Sequence, residues 1–298
     1  MALAQSGRVA DLLTRLTGRR VELVPVSTLG DVSREQLAQI GGTGVFVSAI
    51  RRSLLDGQVD LAVHSLKDLP TGPAEGIALA AVPPREDPRD ALVARDGAKL
   101  ADLRPGALIG TGSPRRAAQL LMLRRDVRPV PIRGNAGTRL AKVGSGELDA
   151  VVLAYAGLAR IGQVSAVTQV FECEEMLPAA GQGALAVECL AGRPDLAGLL
   201  ASADDPASRA AVTAERALLA GLQAGCAAPV GAYAAGTDEL RLHAVVAAAD
   251  GGTALRASAS GPAAQADRLG RRLAADLLAR GAGTLTAVSA GHLSSGDD

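Results

Sequence analysis

Basic side chains are concentrated in one stretch of an otherwise neutral chain. Residues 104–142 contain nine arginines and lysines but only one acid, Asp126, so this stretch has a net charge of +8. The whole chain has Lys+Arg 31 and Asp+Glu 31, so the remaining residues must carry a net charge of −8. Four arginines lie where a predicted strand ends or the next helix begins: Arg115, Arg116, Arg133 and Arg139. Guanidinium and helix N–H groups at such a junction bind carboxylates or phosphates, so we expect an anionic ligand. A solvated basic face is the better interpretation for Arg124, Arg125 and Arg128.

A second candidate site follows the predicted strand 59–63, in the segment VHSLKDLP. Lys67 and Asp68 are adjacent there, and a carboxylate beside a cation suits general acid–base catalysis or the stabilisation of a positive charge. Spacing alone favours an ordinary surface ion pair over that role. It also favours a hydrogen-bonded, structural His64.

Cysteine and histidine usage argues against disulfides and metal sites. The cysteines are odd in number and far apart, which indicates a reducing compartment: Cys173, Cys189 and Cys226. No two histidines have metal-ligand spacing. Cys226 lies in the small-residue loop AGCAAP, where a thiol can be reactive. With no histidine or acid beside it, a passive loop cysteine is the simpler interpretation.

Composition excludes several classes of protein. The 298 residues are 48% hydrophobic with Tyr 2, Phe 2 and Trp 0, so neither disorder nor base stacking on nucleic acid is expected. The apolar run 150–159 is shorter than the about 20 residues of a membrane span, and the N-terminus lacks the basic start of a signal peptide. The glycine-rich segments 41–44, 110–116 and 181–186 lack parts of nucleotide-binding fingerprints. We therefore expect a soluble, cytoplasmic globular protein that binds neither nucleic acid nor membrane.

The elements that must position these side chains alternate over the first two-thirds of the chain. Apolar runs predict strands at 21–26, 59–63, 77–82, 91–94, 107–109, 127–132 and 148–153. Helical periodicity is present at 2–16, 45–55 and 114–123. Such alternation predicts a mostly parallel α/β sheet with ligands at the carboxyl ends of its strands. Because a strand would ordinarily precede the first helix, either the fold begins with a helix or that element is missing.

Two breaks divide the chain. Residues 83–90, PPREDPRD, form a rigid, charged connector that we interpret as a hinge. In SADDPAS, Asp205 is a good N-cap with Pro206 at the first helical position. Beyond that helix, two polar–apolar strands and an amphipathic helix over 262–280 predict a small, separate α+β domain.

Taken together, the motifs resemble the hydroxymethylbilane synthase family, also called porphobilinogen deaminase. The matching segments run in family order from about residue 3 to residue 280, and the more specific ones are DLAVHSLKDLP, IGTGSPRRAAQL, IRGNAGTRL, LPAAGQGALAVEC and LLAGLQAGCAAPVGAY. The strand and the Arg/Ser motif that open the family pattern are absent, since MALAQ aligns with the end of that motif. The true start would then lie upstream, or the chain is impaired.

The resemblance implies an α/β fold with two periplasmic-binding-protein-like lobes and a small C-terminal α+β domain. Domain 1 would comprise 1–84 and 180–203 with the catalytic aspartate, domain 2 residues 88–179 with an arginine-rich cleft, and domain 3 residues 204–298. The implied reaction is the head-to-tail condensation of four porphobilinogen molecules, with loss of ammonia, to the linear tetrapyrrole hydroxymethylbilane. It is primed by a dipyrromethane cofactor held through a thioether to Cys226. The family resemblance favours a monomer.

The resemblance also implies roles for individual residues. Asp68, with Lys67, matches the catalytic pair. The positions that match cofactor-binding residues, besides Cys226, are Ser65, Lys67, Thr111, Ser113, Arg115, Arg116, Arg133, Gly134 and Asn135. Those that match substrate-binding residues are Arg139, Arg160 and Gln182, and no metal is implied. The competing hypotheses are a two-lobed, non-catalytic protein that binds carboxylates, and an inactive, truncated member of the family.

Overall fold

The computed structural model describes residues 1–26, 42–225 and 228–285, without the side chains of 42–46. The chain divides into two compact units. The smaller unit is built from Ala2–Arg85 and Ala184–Arg209. The larger unit is built from Met1, Glu86–Gly183 and Ala210–Asp298. The three-domain division stays a prediction.

The smaller unit has a three-stranded antiparallel sheet in the order β1-β8-β2. Its strands are β1 (Leu61–Ser65), β2 (Ile77–Ala81) and β8 (Leu185–Leu190), and its helices are α1 (Ala2–Thr17), α2 (Gly42–Leu55) and α6 (Pro194–Leu200). The apolar stripe of α1 buries Val9 and Leu13 with Val187 of the central strand. A short 3₁₀ turn, Leu66–Asp68, follows β1 directly and carries the predicted acid–base pair.

The larger unit contains a five-stranded sheet in the order β5-β4-β6-β3-β7. Its strands are β3 (Asp90–Ala94), β4 (Leu108–Gly110), β5 (Arg128–Val130), β6 (Ala150–Ala154) and β7 (Gln169–Val170). The accompanying helices are α3 (Pro114–Leu123), α4 (Ala136–Gly144) and α5 (Tyr155–Arg160). The bounds predicted for α3 are confirmed, with Pro114 opening the helix after Ser113.

The expectation of a mostly parallel sheet is wrong. Strand β4 pairs in parallel with β5 and β6, but β3 is antiparallel to both β6 and β7, and both strand pairs described in the smaller unit are antiparallel. A full crossover helix is what returns a chain to the same end of a sheet. Only two 3₁₀ turns, Arg95–Gly97 and Leu100–Asp102, separate β3 from β4. The alternation of apolar runs did not reveal which connections were too short for a crossover.

The C-terminal part of the larger unit is the predicted α+β structure. An antiparallel sheet in the order β11-β10-β9 is formed by β9 (Val230–Ala235), β10 (Glu239–Ala247) and β11 (Ala254–Pro262). Helices α7 (Pro206–Gly221) and α8 (Ala266–Ala279) contribute to its alanine- and leucine-rich core. Asp205 caps α7 as expected, because its Oδ1 accepts a hydrogen bond from Ser208 N at 2.7 Å.

Two predicted elements differ from the structure. Residues 21–26 are not a strand, and Leu23 and Val24 are exposed. A strand needs a neighbour for its backbone groups, and no partner for this segment is found among the described residues. The last helix begins at Ala266 rather than at residue 262, because Pro262 still belongs to β11 and 263–265 form a 3₁₀ turn. In the described part of the chain, no helix combines the length and apolarity that crossing a membrane requires.

Candidate functional site

A buried carboxylate organises the arginines at the start of α3. Asp90, the first residue of β3, is fully buried and receives both neighbouring guanidinium groups. Arg115 Nη1 lies 2.8 Å from its Oδ2, and Arg116 donates to Oδ1 from Nε at 2.9 Å and from Nη2 at 2.7 Å. Burial alone would raise the pKa of Asp90, but the charges and hydrogen bonds of these arginines outweigh it and hold that pKa well below its usual range. The group is therefore ionised, and the cluster keeps one net positive charge.

The two arginines also bind backbone carbonyls. Arg115 Nη1 donates to the carbonyl oxygen of Leu177 at 2.6 Å, and Arg116 Nη1 to that of Val152 at 3.2 Å. Burial, ahead of the charge of Arg116, lowers the pKa of Arg115. Its Nε is buried with no hydrogen-bond partner in the described part of the chain. All three nitrogens of the Arg116 guanidinium group therefore donate to groups of the protein, whereas Nε of Arg115 has no acceptor among the described residues.

Gln182 belongs to the same cluster. Its Nε2 donates to Asp90 Oδ1 at 2.8 Å and to the carbonyl oxygen of Pro88 at 2.7 Å. The resemblance implied a substrate contact for Gln182, whereas the structure places it fully buried beside Asp90. Asp90 itself was missed, because REDPRD was interpreted only as a charged connector. An acid that opens an apolar strand was the signal that could have identified it.

The next strand ends supply a second group of predicted residues. Thr111 is buried and accepts a hydrogen bond from Ser113 N at 3.2 Å on its Oγ1. Asn135 caps α4 through Thr138 N at 2.9 Å. The remaining predicted residues here, Arg133 and Gly134, are exposed. They form an accessible rim beside the buried cluster.

Arg139 lies between that rim and the buried arginines. Its Nε donates to the carbonyl oxygen of Gly134 at 2.9 Å. Burial and, after it, the charge of Arg116 lower the pKa of Arg139. Arg116 therefore interacts electrostatically with both Arg115 and Arg139, while a shared role for the strand-end arginines in binding a ligand stays a prediction.

Arg160 is the last residue of α5. It is buried, with Nε 3.1 Å from Glu86 Oε2 and Nη2 donating to the carbonyl oxygen of Gly183 at 2.7 Å. Gly183 has a φ of +88°, and a Cβ there would come within 2.4 Å of the carbonyl oxygen of Glu86. The GQG segment thus needs glycine for close backbone approach, which is unrelated to nucleotide binding.

The predicted acid–base pair lies in the smaller unit. Asp68 ends the 3₁₀ turn after β1 and is half-buried, and within the described residues no hydrogen-bond or ion-pair partner accompanies its carboxylate. Lys67 is half-buried beside it. Ser65 Oγ accepts a hydrogen bond from Gln5 Nε2 at 2.8 Å, and Gln5 is a buried residue that sequence reasoning missed. An available carboxylate on a firmly held turn is suited to acid–base work.

Cys226 lies outside the described residues. The helix before it, α7, is fastened by Glu215, which is fully buried. Its Oε2 accepts a hydrogen bond from Gly181 N at 2.7 Å and its Oε1 from Ala234 N at 2.8 Å. The described residues that lead to Cys226 therefore start from a fixed helix.

A cavity of about 400 Å³ lies elsewhere in the larger unit, between β9–β11 and the segment that follows β7. It is lined by Cys173, Glu174, Leu177, Tyr233, His243, Ala244, Arg256, Ala257 and Ser258. No predicted site residue is among these. Within the part of the chain that the structure describes, no group of three or more His, Cys, Asp or Glu residues could hold a metal ion.

Comparison with known proteins identifies the family. Residues 1–197 match the model of the porphobilinogen deaminase, dipyromethane cofactor binding domain, and residues 209–279 match that of the porphobilinogen deaminase C-terminal domain. The porphobilinogen deaminase of Thermobifida fusca is 59% identical over 97% of this chain and 94% of its own length. The chain belongs to the porphobilinogen deaminase family. Porphobilinogen deaminase 1 of Streptomyces coelicolor is 56% identical over 96% of this chain and 94% of its own.

Membership at this identity and coverage assigns the chain the hydroxymethylbilane synthase reaction of tetrapyrrole biosynthesis, and so makes it a transferase with a dipyrromethane cofactor. Among solved structures, an ancestral cationic amino acid solute binding protein (AncCDT-1) gives a TM-score of 0.40 at 18% identity, covering 65% of this chain and 75% of its own. That likeness is too low to support a conclusion about ligand or fold.

The described residues fit such a cofactor. A dipyrromethane is a polycarboxylate, and carboxylates are bound by guanidinium groups. The buried Nε of Arg115, which has no partner among the described residues, the partly buried Arg139 and the exposed Arg133 offer donors of that kind. This donor set, rather than any metal ligand set, matches the cofactor.

Proposed function

We propose that this chain condenses porphobilinogen with Asp68 as the group that handles the proton and the positive charge. The observation that carries the proposal is the half-buried Asp68 carboxylate, which has no partner among the described residues. When the C–N bond of the protonated aminomethyl group breaks, ammonia leaves with the bonding electrons and positive charge develops on the pyrrole nitrogen. An ionised carboxylate in a partly dry site stabilises that charge, and it accepts the proton released when the new C–C bond forms.

The arginines would bind the acetate and propionate groups of the cofactor and substrate. Arg115, Arg133 and Arg139 have donors suited to this role, with Thr111, Ser113, Gly134 and Asn135 shaping the strand ends. Arg116, Arg160 and Gln182 would act from their buried positions, by holding the charge and geometry of the cluster. A dipyrromethane attached to Cys226 through a thioether would supply the pyrrole to which the first substrate is joined, and Ser65 and Lys67 would be among the residues that bind it.

We further propose that the chain works as a monomer in the cytoplasm, without nucleic acid or membrane partners. Its zero net charge and scattered cysteines support this, since they provide neither a global attractive field nor a disulfide framework.

The covalent cofactor is tested by the intact mass of the purified, denatured chain beside a Cys226→Ala control. We expect an added dipyrromethane mass in the parent chain and none in the control, while the folded parent consumes porphobilinogen and releases a linear tetrapyrrole. An unmodified mass in folded, inactive protein would contradict the proposal and favour a non-catalytic carboxylate-binding protein or an impaired chain.

The role of Asp68 is tested by Asp68→Asn in cofactor-loaded protein. Because the neutral amide can neither accept the proton nor stabilise the cation, we expect kcat to fall by about 10²- to 10⁴-fold. Asp68→Glu, which keeps the charge, should retain more activity than Asp68→Asn. Equal activity of the parent and Asp68→Asn would assign the chemistry to another group.

A further inference from the structure

A second buried carboxylate joins a helix to the strand that leads to Asp68. Glu188 on β8 is 3% exposed and forms a two-point ion pair with Arg51 of α2. Arg51 Nη2 donates to Oε1 at 2.6 Å and Nε to Oε2 at 3.0 Å. The two residues are 137 positions apart in sequence, so this contact is purely tertiary.

The same carboxylate faces His64 on β1. Glu188 is paired in register with Ala62, which places His64 one diagonal step away on the same face of the sheet. His64 Nε2 lies 3.3 Å from Glu188 Oε2, and both side chains are 4% exposed. That nitrogen has no properly aligned hydrogen bond within the described residues. Burial alone would raise the pKa of Glu188, but His64 and Arg51 beside its carboxylate lower it to about 2.

Stability alone does not require this cluster. Burying ionisable groups carries a desolvation cost, and apolar side chains of similar volume stabilise a core as well or better. A buried two-point ion pair differs from an apolar contact because it tolerates only one relative placement of its partners. The ion pair therefore fixes α2 relative to β8, and the close approach of His64 adds to the backbone ladder that holds β1 on the same strand.

The backbone that follows His64 links the position of β1 to that of Asp68. Leu66 N donates to the carbonyl oxygen of Ala184 at 3.1 Å, and Leu69 N to that of Leu66 at 3.1 Å, which closes the turn around Asp68. Leu66 is fully buried, so this turn has little freedom to shift independently of β1. The segment that these contacts fix ends at Asp68, whose carboxylate has no partner among the described residues.

We propose that Glu188 is a positioning residue, which holds the Asp68 turn in its productive place through His64 and Arg51. This inference rests on the proposed role of Asp68. Glu188 touches neither cofactor nor substrate in this proposal and acts only through β1.

The test is Glu188→Gln, made in the parent and in Asp68→Asn, with cofactor loading checked by intact mass. Glutamine keeps the volume but presents an amide NH₂ to Arg51 or His64 and loses the ion pair. Because a misplacement of about 1 Å can cost about 10²-fold in rate, we expect kcat to fall by about 10- to 100-fold with KM changed by less than about 3-fold. In the Asp68→Asn background, the same substitution should change kcat by less than about 2-fold.

Leu200→Ala is the control for a loss of stability alone. Leu200 is fully buried in the apolar core beside β8, and its hydrocarbon side chain can take no part in the hydrogen bonds or ion pairs of Arg51, His64 and Glu188. It should lower the free energy of unfolding while leaving kcat per folded molecule unchanged.

Two outcomes would overturn the inference: parent-like kcat in Glu188→Gln, or equal fold-losses from Glu188→Gln in both backgrounds, which marks a merely structural role. Failure of the proposed function is separate, since it would appear as an inactive parent or a fully active Asp68→Asn.

Discussion

Asp90 changes how the arginine pair of the GTGSPRR segment is understood. Their position in the sequence suggests that Arg115 and Arg116 bind a ligand's carboxylates. In the structure both arginines pair with the same carboxylate of the protein, that of Asp90. Two positive charges against one negative charge leave a buried excess of one, and Arg115 Nε remains unpartnered in the described residues. The pair therefore combines a structural ion cluster with a residual attraction for an anion.

Asp90→Asn should be among the more destabilising polar substitutions in the chain. It leaves two buried guanidinium groups without their counter-charge, so we expect a loss of about 3–5 kcal/mol in the free energy of unfolding, measured with urea at pH 7. Asp267→Asn is the control, because its ion pair with Arg271 is exposed and screened by solvent, so the variant should unfold at nearly the same urea concentration as the parent. A small loss for Asp90→Asn would mean that water reaches the cluster.

The lowered pKa of Asp90 also predicts how the stability difference between the parent and Asp90→Asn depends on pH. The pKa of Asp90 is lowered in the folded state, so its contribution is fully present above its unfolded pKa of about 3.9 and is lost as the pH falls through the folded value. The stability difference between the parent and Asp90→Asn should be constant from about pH 8 to about pH 5 and shrink below about pH 4. A difference that shrinks already near neutral pH would contradict this assignment.

At the scale of elements, short connections decide where the functional groups lie. The Asp68 turn follows β1 without a loop, and the arginine-bearing helices α3 and α4 begin within a few residues of β4 and β5. In the GQG segment before β8, Gly183 has a positive φ and lies against the backbone of Glu86, where a larger residue would clash. The carbonyl oxygen of Gly183 accepts a hydrogen bond from Arg160. The motif thus positions an arginine through its backbone.

Gly183→Ala tests that element. A Cβ would meet the carbonyl oxygen of Glu86 at 2.4 Å in a left-handed conformation, so we expect a loss of at least about 2 kcal/mol in the free energy of unfolding. Gly192→Ala is the matched control, because nothing lies within 4 Å of its added Cβ and it should be nearly neutral. Urea unfolding of both variants measures the difference, and equal stabilities would show that the backbone of 86–87 moves freely.

At the scale of the whole molecule, positive and negative charges are equal in number but unevenly distributed along the chain. The chain has no net charge, yet residues 104–142, which span β4 to most of α4 in the larger unit, carry +8. Asp90, Asp149 and Glu147 neutralise part of this charge, and the remainder attracts a small polycarboxylate. Each added pyrrole brings two more carboxylates, which suits a basic stretch of this extent.

Salt should therefore weaken substrate binding. Between about 0.05 M and about 0.5 M NaCl the screening length falls several-fold, so we expect KM for porphobilinogen to rise several-fold while kcat changes less. Initial rates of porphobilinogen consumption across that range measure both constants. A KM that is independent of salt would indicate that recognition depends on uncharged contacts.

Much of this protein could be predicted from its sequence, because the decisive signals are local. Pro114 and Pro206 mark helix starts through their fixed φ, and long motifs in order indicate the family, whose membership the comparisons confirm. The fold class also followed from the pattern of apolar runs, although strand direction did not, since it depends on which connections can cross a sheet. Segment 21–26 had the composition of a strand but no partner in the described part of the chain.

Tertiary structure alone decided which charges are paired. Asp90 meets Arg115 and Arg116, and Glu188 meets Arg51 and His64, across separations that no spacing rule encodes. The sequence shows that these residues are ionisable, whereas the fold determines whether each side chain faces solvent, a ligand or another side chain. The physical reason is that desolvation makes an unpaired buried charge costly, so the packed fold selects each partner.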